Sequence, residues 1–161
     1  MYHTQERRRN RLSGPILAER KNAWLGVAYY FWADEMDAMH WGTESKTSTG
    51  YYEVYNASID CENVLDTVFN EEHYNFWVNQ IEKAAKKITK YTGKKATIKE
   101  INTYFTENAK WSEVTDGIMF QDLPFSDDLL VEKFNYRKRI QLAVFNIGII
   151  LTFGFLYELK C

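Results

Sequence analysis

Three short stretches of this 161-residue chain carry side chains that can take part in chemistry. The first is Tyr2-His3-Thr4 at the N-terminus, and the second is an aromatic run that begins at the Gly26 turn and ends at Trp32. The third, Asp116–Pro124, has the pattern of an apolar strand with aspartates near both ends. Together they offer an imidazole, aromatic rings that can stack on a planar ligand, and carboxylates that can stabilise a developing positive charge.

The order of these stretches resembles the nucleotide half-site of ADP-ribosyltransferase-like domains. In many such domains a Tyr-His-Gly-Thr strand comes first, and a Leu-Gly-x-Gly-Ile-Tyr-Phe strand and an Ala-x-x-Trp helix follow. Here Leu25-Gly26-Val27-Ala28-Tyr29-Tyr30-Phe31 stands in the place of the second motif, and Ala38-Met39-His40-Trp41 in that of the third. The resemblance implies that the protein cleaves NAD, its co-substrate, and transfers ADP-ribose to an acceptor.

The resemblance also implies roles for individual residues around NAD. His3 aligns with the histidine that hydrogen-bonds the adenosine-side ribose, and Thr4 follows it where the backbone grips the carboxamide. Tyr30, after the turn at Gly26, aligns with the tyrosine that stacks on nicotinamide. Arg8 follows His3 closely in the sequence and is a candidate to hold the pyrophosphate if His3 lines the site, because arginine matches phosphate oxygens bidentately. The chain departs from the family pattern at Thr4, which replaces a glycine, and at Ala28, which replaces the second glycine of its motif.

The catalytic acid is predicted from the last motif. The run Asp116-Gly117-Ile118-Met119-Phe120-Gln121-Asp122 resembles the family's strand that ends in a catalytic glutamate or a substitute. The resemblance makes Asp122 the catalytic carboxylate and Gln121 a contact to the 2′-hydroxyl or the acceptor. A cap on the Leu123-Pro124 turn is the alternative role for Asp122, and Asp116 is interpreted as a turn residue before Gly117.

Positive charge is concentrated in two segments, although the net charge is −2. The N-terminal segment contains Arg7, Arg8, Arg9 and Arg11, and residues 83–99 hold seven lysines and no acid, among them Lys86, Lys87 and Lys90. Such density is typical of surfaces that follow a phosphate backbone. These residues are therefore candidates for nucleic-acid binding, and a solvated surface is the alternative.

The remaining composition indicates a single globular domain over residues 1–161. The two cysteines, Cys61 and Cys161, have no metal-ligand spacing, and no metal site is predicted. With no signal-peptide pattern, a reducing, cytoplasmic location is expected. The charge-free run Leu142–Tyr157 is too short for a transmembrane helix and is interpreted as two strands joined by a turn at Asn146-Ile147-Gly148, so no membrane partner is expected.

The predicted fold is α+β. Strands are expected at both ends of the chain, at Met1–Gln5, Val27–Trp32, Tyr51–Ile59, Val114–Gln121, Ile140–Phe145 and Ile149–Tyr157. A short helix is expected at Asp34–Trp41, with Asp34 as its N-cap. Further helices are expected at Glu62–Phe69, at Glu71–Tyr91 ended by Gly93, and at Ile98–Phe105 capped by Thr97. The resemblance implies a split β-sheet core with the helices inserted between the third strand and the C-terminal strands.

The function expected from these features is a NAD-dependent mono-ADP-ribosyltransferase toxin of a toxin–antitoxin or phage-defence type. Its partners would be an antitoxin protein and a nucleic-acid acceptor, with RNA ahead of DNA. The alternatives are a NADase with water as acceptor, ADP-ribosylation of a protein, and a degenerate module that binds a nucleotide or a protein without catalysis.

Overall fold

The computed structural model describes residues 1–19, 25–122 and 139–161, except for the side chains of Ile98 and Asp122. The strands, in chain order, are β1 (Tyr2–Glu6), β2 (Tyr29–Trp32), β3 (Tyr51–Ile59), β4 (Val64–Asp66), β5 (Gly117–Asp122), β6 (Arg139–Val144) and β7 (Ile150–Lys160). The α-helices are α1 (Glu35–Ser45), α2 (Glu71–Thr92) and α3 (Ile98–Thr103). Residues 20–24 and 123–138 lie outside the described residues, and with them the predicted Leu123-Pro124 turn.

The strands form one mixed sheet of seven in the order β4-β5-β6-β2-β1-β3-β7. Among the strands of the described residues, β4 and β5 run parallel and the other neighbours are antiparallel. Since α2 and α3 lie between β4 and β5 in the chain, the predicted α+β class is confirmed. Helices α2 and α3 follow the third strand as expected, although the short strand β4 comes before them, and α1 lies between β2 and β3.

Local capping signals fix where the helices begin and end. The Asp34 side chain accepts from the Met36 N–H at 2.8 Å, and the Asn70 side chain accepts from the His73 N–H at 3.1 Å. These oxygens satisfy amides that a helix leaves without an internal partner. At the other end of α2, Gly93 takes a left-handed conformation with φ of 69°, which glycine adopts at little cost. The predicted helix Glu71–Tyr91 is confirmed within one residue.

The helix predicted at Glu62–Phe69 is wrong. Val64 to Asp66 instead form β4, which pairs in parallel with Gly117 to Met119 of β5. The Asp66 carboxylate then accepts from the N–H groups of Val68 and Phe69, both at 2.9 Å, and turns the chain toward α2. A short apolar run fits either structure, and here the hydrogen bonds offered by β5 decide for the strand.

The chain between α3 and β5 has an unusual backbone. The predicted helix Ile98–Phe105 stops at Thr103 and continues as a π-helical turn, Tyr104–Asn108. Lys110 has a left-handed φ of 48°, and a 3₁₀ turn, Trp111–Glu113, follows it. π-turns and left-handed non-glycine residues are uncommon and are found preferentially at functional sites.

The two faces of the sheet have separate apolar clusters. One face buries Phe31, Leu142 and Val144, and the other buries Trp32 and Tyr52 beneath α1. The helix approaches closely at Gly42, where a Cβ would lie 2.3 Å from the Tyr52 ring. Because side chains alternate along each strand, neighbouring residues of β2 belong to opposite faces.

The charge-free run Leu142–Tyr157 is confirmed as two strands, β6 and β7. The Asn146 side chain accepts from the Gly148 N–H at 2.9 Å and closes the turn between them. Within residues 1–19, 25–122 and 139–161, no helix has both the length and the apolar character needed to cross a bilayer.

Candidate active site at the sheet break

The candidate site lies where β1 and β2 separate. These central strands share one registered pair, Tyr2 with Trp32, whereas β1 and β3 pair at five positions. We call the region beyond the Tyr2–Trp32 pair the sheet break. It divides the sheet into β4-β5-β6-β2 and β1-β3-β7, and it places His3 and the strand of Tyr30 beside each other.

His3 bridges the sheet break through both of its ring nitrogens. Nδ1 lies 2.9 Å from the Tyr30 carbonyl oxygen, and the Ile16 N–H donates to Nε2 at 3.4 Å. These partners fix a neutral ring with the proton on Nδ1, which donates to the carbonyl. The side chain is 6% exposed, and this burial lowers the pKa of His3 to about 4. His3 therefore holds β1 to β2 where backbone pairing stops.

The N-terminal segment Leu12–Ala18 crosses the sheet break. The Leu12 N–H donates to the Tyr55 hydroxyl at 3.0 Å, and Ile16 binds His3 as described. Ala18 and Ala28 then exchange backbone hydrogen bonds of 2.9 and 3.4 Å. The segment thus replaces β1 as the neighbour of the chain that enters β2, and a ligand that reaches His3 must open the Ile16 contact.

Tyr30 closes the Gly26 turn with its hydroxyl. The hydroxyl donates to the Gly26 carbonyl at 2.9 Å and accepts from the Leu25 N–H at 3.1 Å. Gly26 has a φ of 76°, a conformation that favours glycine. The Tyr30 ring meets Phe120 edge-on at 6.5 Å, and burial raises the pKa of Tyr30 to about 12. Tyr30 thus links the turn to β5.

The two predicted NAD contacts His3 and Tyr30 point to opposite faces of the sheet. His3 contacts Phe31 with ring centroids 5.5 Å apart, whereas the adjacent Tyr30 packs in the cluster of Ala28 and Phe120. Thr4 shares the face of Tyr30, and its hydroxyl donates to the Ala38 carbonyl of α1 at 2.8 Å. The structure therefore joins His3 to the Tyr30 backbone, not to its ring.

The predicted acid and its neighbour lie at the end of β5. Gln121 pairs with Ile140 and Asp122 pairs with Arg139, while the Asp122 side chain lies outside the described residues. Gln121 shares the face of Met119, and hence that of His3, because residues two apart on a strand face the same way. Three strand spacings separate β5 from β1, which is about 14 Å. Gln121 and His3 therefore do not contact each other directly.

The predicted basic residues differ in their surroundings. Arg7 pairs with Glu158 at 3.4 Å, and the Arg11 guanidinium lies 3.6 Å above the Phe155 ring. Arg8 and Arg9 are exposed on the same loop. On α2, Lys86 pairs with Glu82 at 3.1 Å and Lys87 lies 5.1 Å from the Tyr104 ring centre, whereas Lys90 is exposed. The lysines remain at the surface and available to an anionic partner.

Sequence reasoning missed a cavity beside α2. The cavity has a volume of about 420 Å³ and is lined by residues of β4, of the first half of α2 and of the 3₁₀ turn at Trp111. The signal was present: His73, Phe76 and Gln80 follow helical spacing and share one face of α2. Their partners across the cavity come from distant parts of the chain, so spacing alone did not reveal a cavity.

Comparison with known proteins gives no match: no protein-family model, no curated protein and no solved structure matches this chain. Among the described residues, no cluster of three or more His, Cys, Asp or Glu side chains is arranged to hold a metal ion. The function of the protein must therefore be inferred from its own residues and geometry.

Proposed function

We propose that the protein is an ADP-ribosyltransferase-like enzyme that binds NAD at the sheet break. The observation that carries this proposal is the divergence of β1 and β2 after one registered pair, with His3 and the strand of Tyr30 at the point of divergence. A split sheet bordered by these two motifs is what the family resemblance implies. His3, Thr4, Gly26, Tyr30 and Arg8 are the proposed NAD contacts.

The proposed reaction replaces nicotinamide at C1′ of its ribose. The bond from C1′ to the nicotinamide nitrogen breaks, and its electron pair leaves with nicotinamide, which becomes neutral. The developing positive charge on C1′ is opposed by Asp122. A lone pair of the acceptor then bonds to C1′, and the acceptor loses its proton to a base or to water.

The proposed acceptor is nucleic acid, with RNA ahead of DNA. The exposed residues Arg8, Arg9 and Lys90, together with the lysines around them, support this choice through their positive charge. A toxin that acts in the cytoplasm and is held in check by an antitoxin is the proposed biological setting.

A non-catalytic module is the second candidate function. It is favoured by the hydrogen bonds of His3 and Tyr30, because both ring nitrogens and the phenol oxygen already have backbone partners. NAD can compete for His3 only when the contact to Ile16, the longer of its two bonds, opens. A folded protein that never opens this contact would keep the architecture without the reaction.

Incubation of the pure protein with NAD labelled in its adenylate part separates these functions. Label in added RNA or DNA supports nucleic-acid transfer, and label in lysate protein supports a protein acceptor. Free labelled ADP-ribose alone supports a NADase. If a folded preparation leaves NAD intact with every acceptor, the enzyme proposal is wrong and the binding module remains.

Replacing Asp122 by Asn is expected to lower the turnover of NAD far more than its affinity. A carboxylate that opposes the charge on C1′ acts mainly in the transition state, so kcat falls while the Kd for NAD changes little. Single-turnover kinetics and equilibrium binding measure the two quantities.

Asp116→Asn is the matched control for the acid. The Asp116 carboxylate accepts from the side-chain amides of Asn63 at 3.1 Å and of Asn146 at 2.8 Å, and so ties together two turns. Its loss is expected to lower the melting temperature and to spare kcat. Slow turnover in Asp116→Asn together with normal turnover in Asp122→Asn would show that Asp122 is not the catalytic acid.

Replacing Lys86 and Lys90 by Gln is expected to flatten the salt dependence of single-stranded RNA binding. Each neutralised phosphate contributes about 0.7 to the slope of log K against log salt. The magnitude of this slope should therefore be smaller by about 1.4 in the double variant. NAD hydrolysis without acceptor should not change. Lys46→Gln with Lys160→Gln removes the same charge elsewhere and should retain the wild-type slope. Equal slopes in the two double variants would contradict a role for α2.

A further inference from the structure

The cavity beside α2 has the size of a ligand site. Its volume of about 420 Å³ lies within the range of small-molecule pockets, roughly 300–1,000 Å³. A second cavity, near Leu25 and Trp77, measures about 50 Å³ and has room for little more than water. The large cavity opens at the β4 edge of the sheet, four strand spacings or about 19 Å from β1. It is therefore separate from the sheet break.

An aromatic wall borders this cavity. Phe76 and Trp111 have ring centroids 5.9 Å apart at 42°, and Phe76 is 48% exposed. Trp111 is held from behind by Trp77 and Phe105, each at 5.0 Å. The left-handed Lys110 directs the chain into the 3₁₀ turn that presents Trp111. Fixed aromatic rings of this kind are what a nucleobase stacks on in single-strand recognition.

Two polar side chains, His73 and Gln80, give the cavity hydrogen-bonding groups. The Asp66 N–H donates to His73 Nδ1 at 3.1 Å, so in the neutral ring the proton is on Nε2. The Gln80 amide is half-buried and has no hydrogen-bond partner within residues 1–19, 25–122 and 139–161. Such an amide offers a donor next to an acceptor, the pair that binds the N6 and N7 atoms of adenine bidentately.

Lysines extend the cavity face along α2. His73, Phe76, Gln80, Lys83, Lys87 and Lys90 are spaced alternately by three and four residues, so they share one side of the helix. At a rise of 1.5 Å per residue, Lys83 and Lys87 lie about 4.5 and 10.5 Å along the axis from Gln80. A base in the cavity thus has cations within reach of its own and the neighbouring phosphate.

We propose that this cavity binds an adenine base, stacked on Phe76 and Trp111 and read by Gln80. The base belongs either to a free adenine nucleotide or to an unstacked adenosine of single-stranded RNA. Lys83 and Lys87 bind the phosphates in both cases. Binding at this cavity does not require the sheet break and does not depend on NAD turnover.

The test measures binding of AMP, GMP and a fluorescein-labelled ten-nucleotide oligo(A) to the full chain. Gln80→Met keeps the size of the side chain and removes its hydrogen bonds, and we expect it to weaken binding about tenfold or more. Asn79→Met makes the same kind of change at the adjacent exposed position and should retain wild-type affinity. GMP should bind more weakly than AMP.

The outcomes assign the source of the base. If Gln80→Met weakens the binding of both AMP and oligo(A), the cavity is a free-nucleotide site that also accepts RNA. If oligo(A) binds in a Gln80-dependent way and AMP does not bind, the ligand is RNA alone. No binding of either ligand overturns the proposal, as does unchanged affinity in Gln80→Met or GMP binding as tight as AMP. AMP binding that Tyr30→Ala abolishes and Gln80→Met spares belongs to the sheet break and also overturns it. Labelled-NAD turnover in Gln80→Met separately reports on the enzyme proposal, because the Gln80 variant is expected to retain it.

Discussion

Tyr30→Ala is expected to abolish NAD turnover, whereas Tyr30→Phe retains most of it. In the proposed function the ring stacks on nicotinamide, and only the alanine variant removes the ring. The hydroxyl bonds to Leu25 and Gly26, so both variants loosen the Gly26 turn. The loss in unfolding free energy is expected to be about 1 kcal/mol for Phe and about 3 kcal/mol for Ala.

The measurement pairs turnover of labelled NAD with the circular dichroism of each variant. Tyr29→Ala is the matched control, because Tyr29 is adjacent on β2 but packs on the opposite face with Phe31. Its turnover should remain close to wild type at temperatures where it is folded. Wild-type turnover in a folded Tyr30→Ala protein, or equal losses in Tyr29→Ala and Tyr30→Ala, would refute the stacking role.

His3 is expected to make the protein sensitive to acid. Its folded-state pKa is about 4, below the value of about 6.5 for an unfolded chain. The unfolded state therefore binds the proton more tightly, and the stabilisation is complete above pH 6.5 and is lost as the pH falls through 4. A difference of this size corresponds to a loss on the order of 3 kcal/mol in unfolding free energy.

Urea unfolding of wild type and of His3→Asn between pH 7 and pH 3.5 measures this loss. Carboxylates titrate in both proteins, so the difference between the two curves isolates the histidine. The wild-type advantage should shrink toward acid pH. Parallel curves for wild type and His3→Asn would show that the imidazole is not held neutral by burial.

Elements with strong local signals were predictable from the sequence. The strand Tyr51–Ile59 was predicted with the bounds of β3, and α2 follows from its apolar spacing, its first-turn acids and Gly93. Asp34 and Thr97 mark the starts of α1 and α3 through side-chain caps. In each case the determining contacts lie within a few residues, so a local pattern contains the information.

Elements that depend on distant partners were not predictable in this way. The apolar residues of Val64–Asp66 suit a helix as well as a strand, and only pairing with β5 selects the strand. The π-turn at Tyr104–Asn108 likewise cannot be inferred from helical spacing. Phe105 packs there against Trp77 and Trp111, whose positions are set by other elements.

The same division holds for the candidate site. Residue types and order alone specified an imidazole, a glycine turn and an aromatic strand, because these are properties of short stretches. The tertiary structure decided that β1 and β2 separate after Tyr2 and Trp32, that Ile16 and the Tyr30 carbonyl bind both nitrogens of His3, and that the Tyr30 ring faces away from His3. Strand register and the path of the loop between β1 and β2 set these contacts, and both depend on hydrogen bonds between residues far apart in the chain.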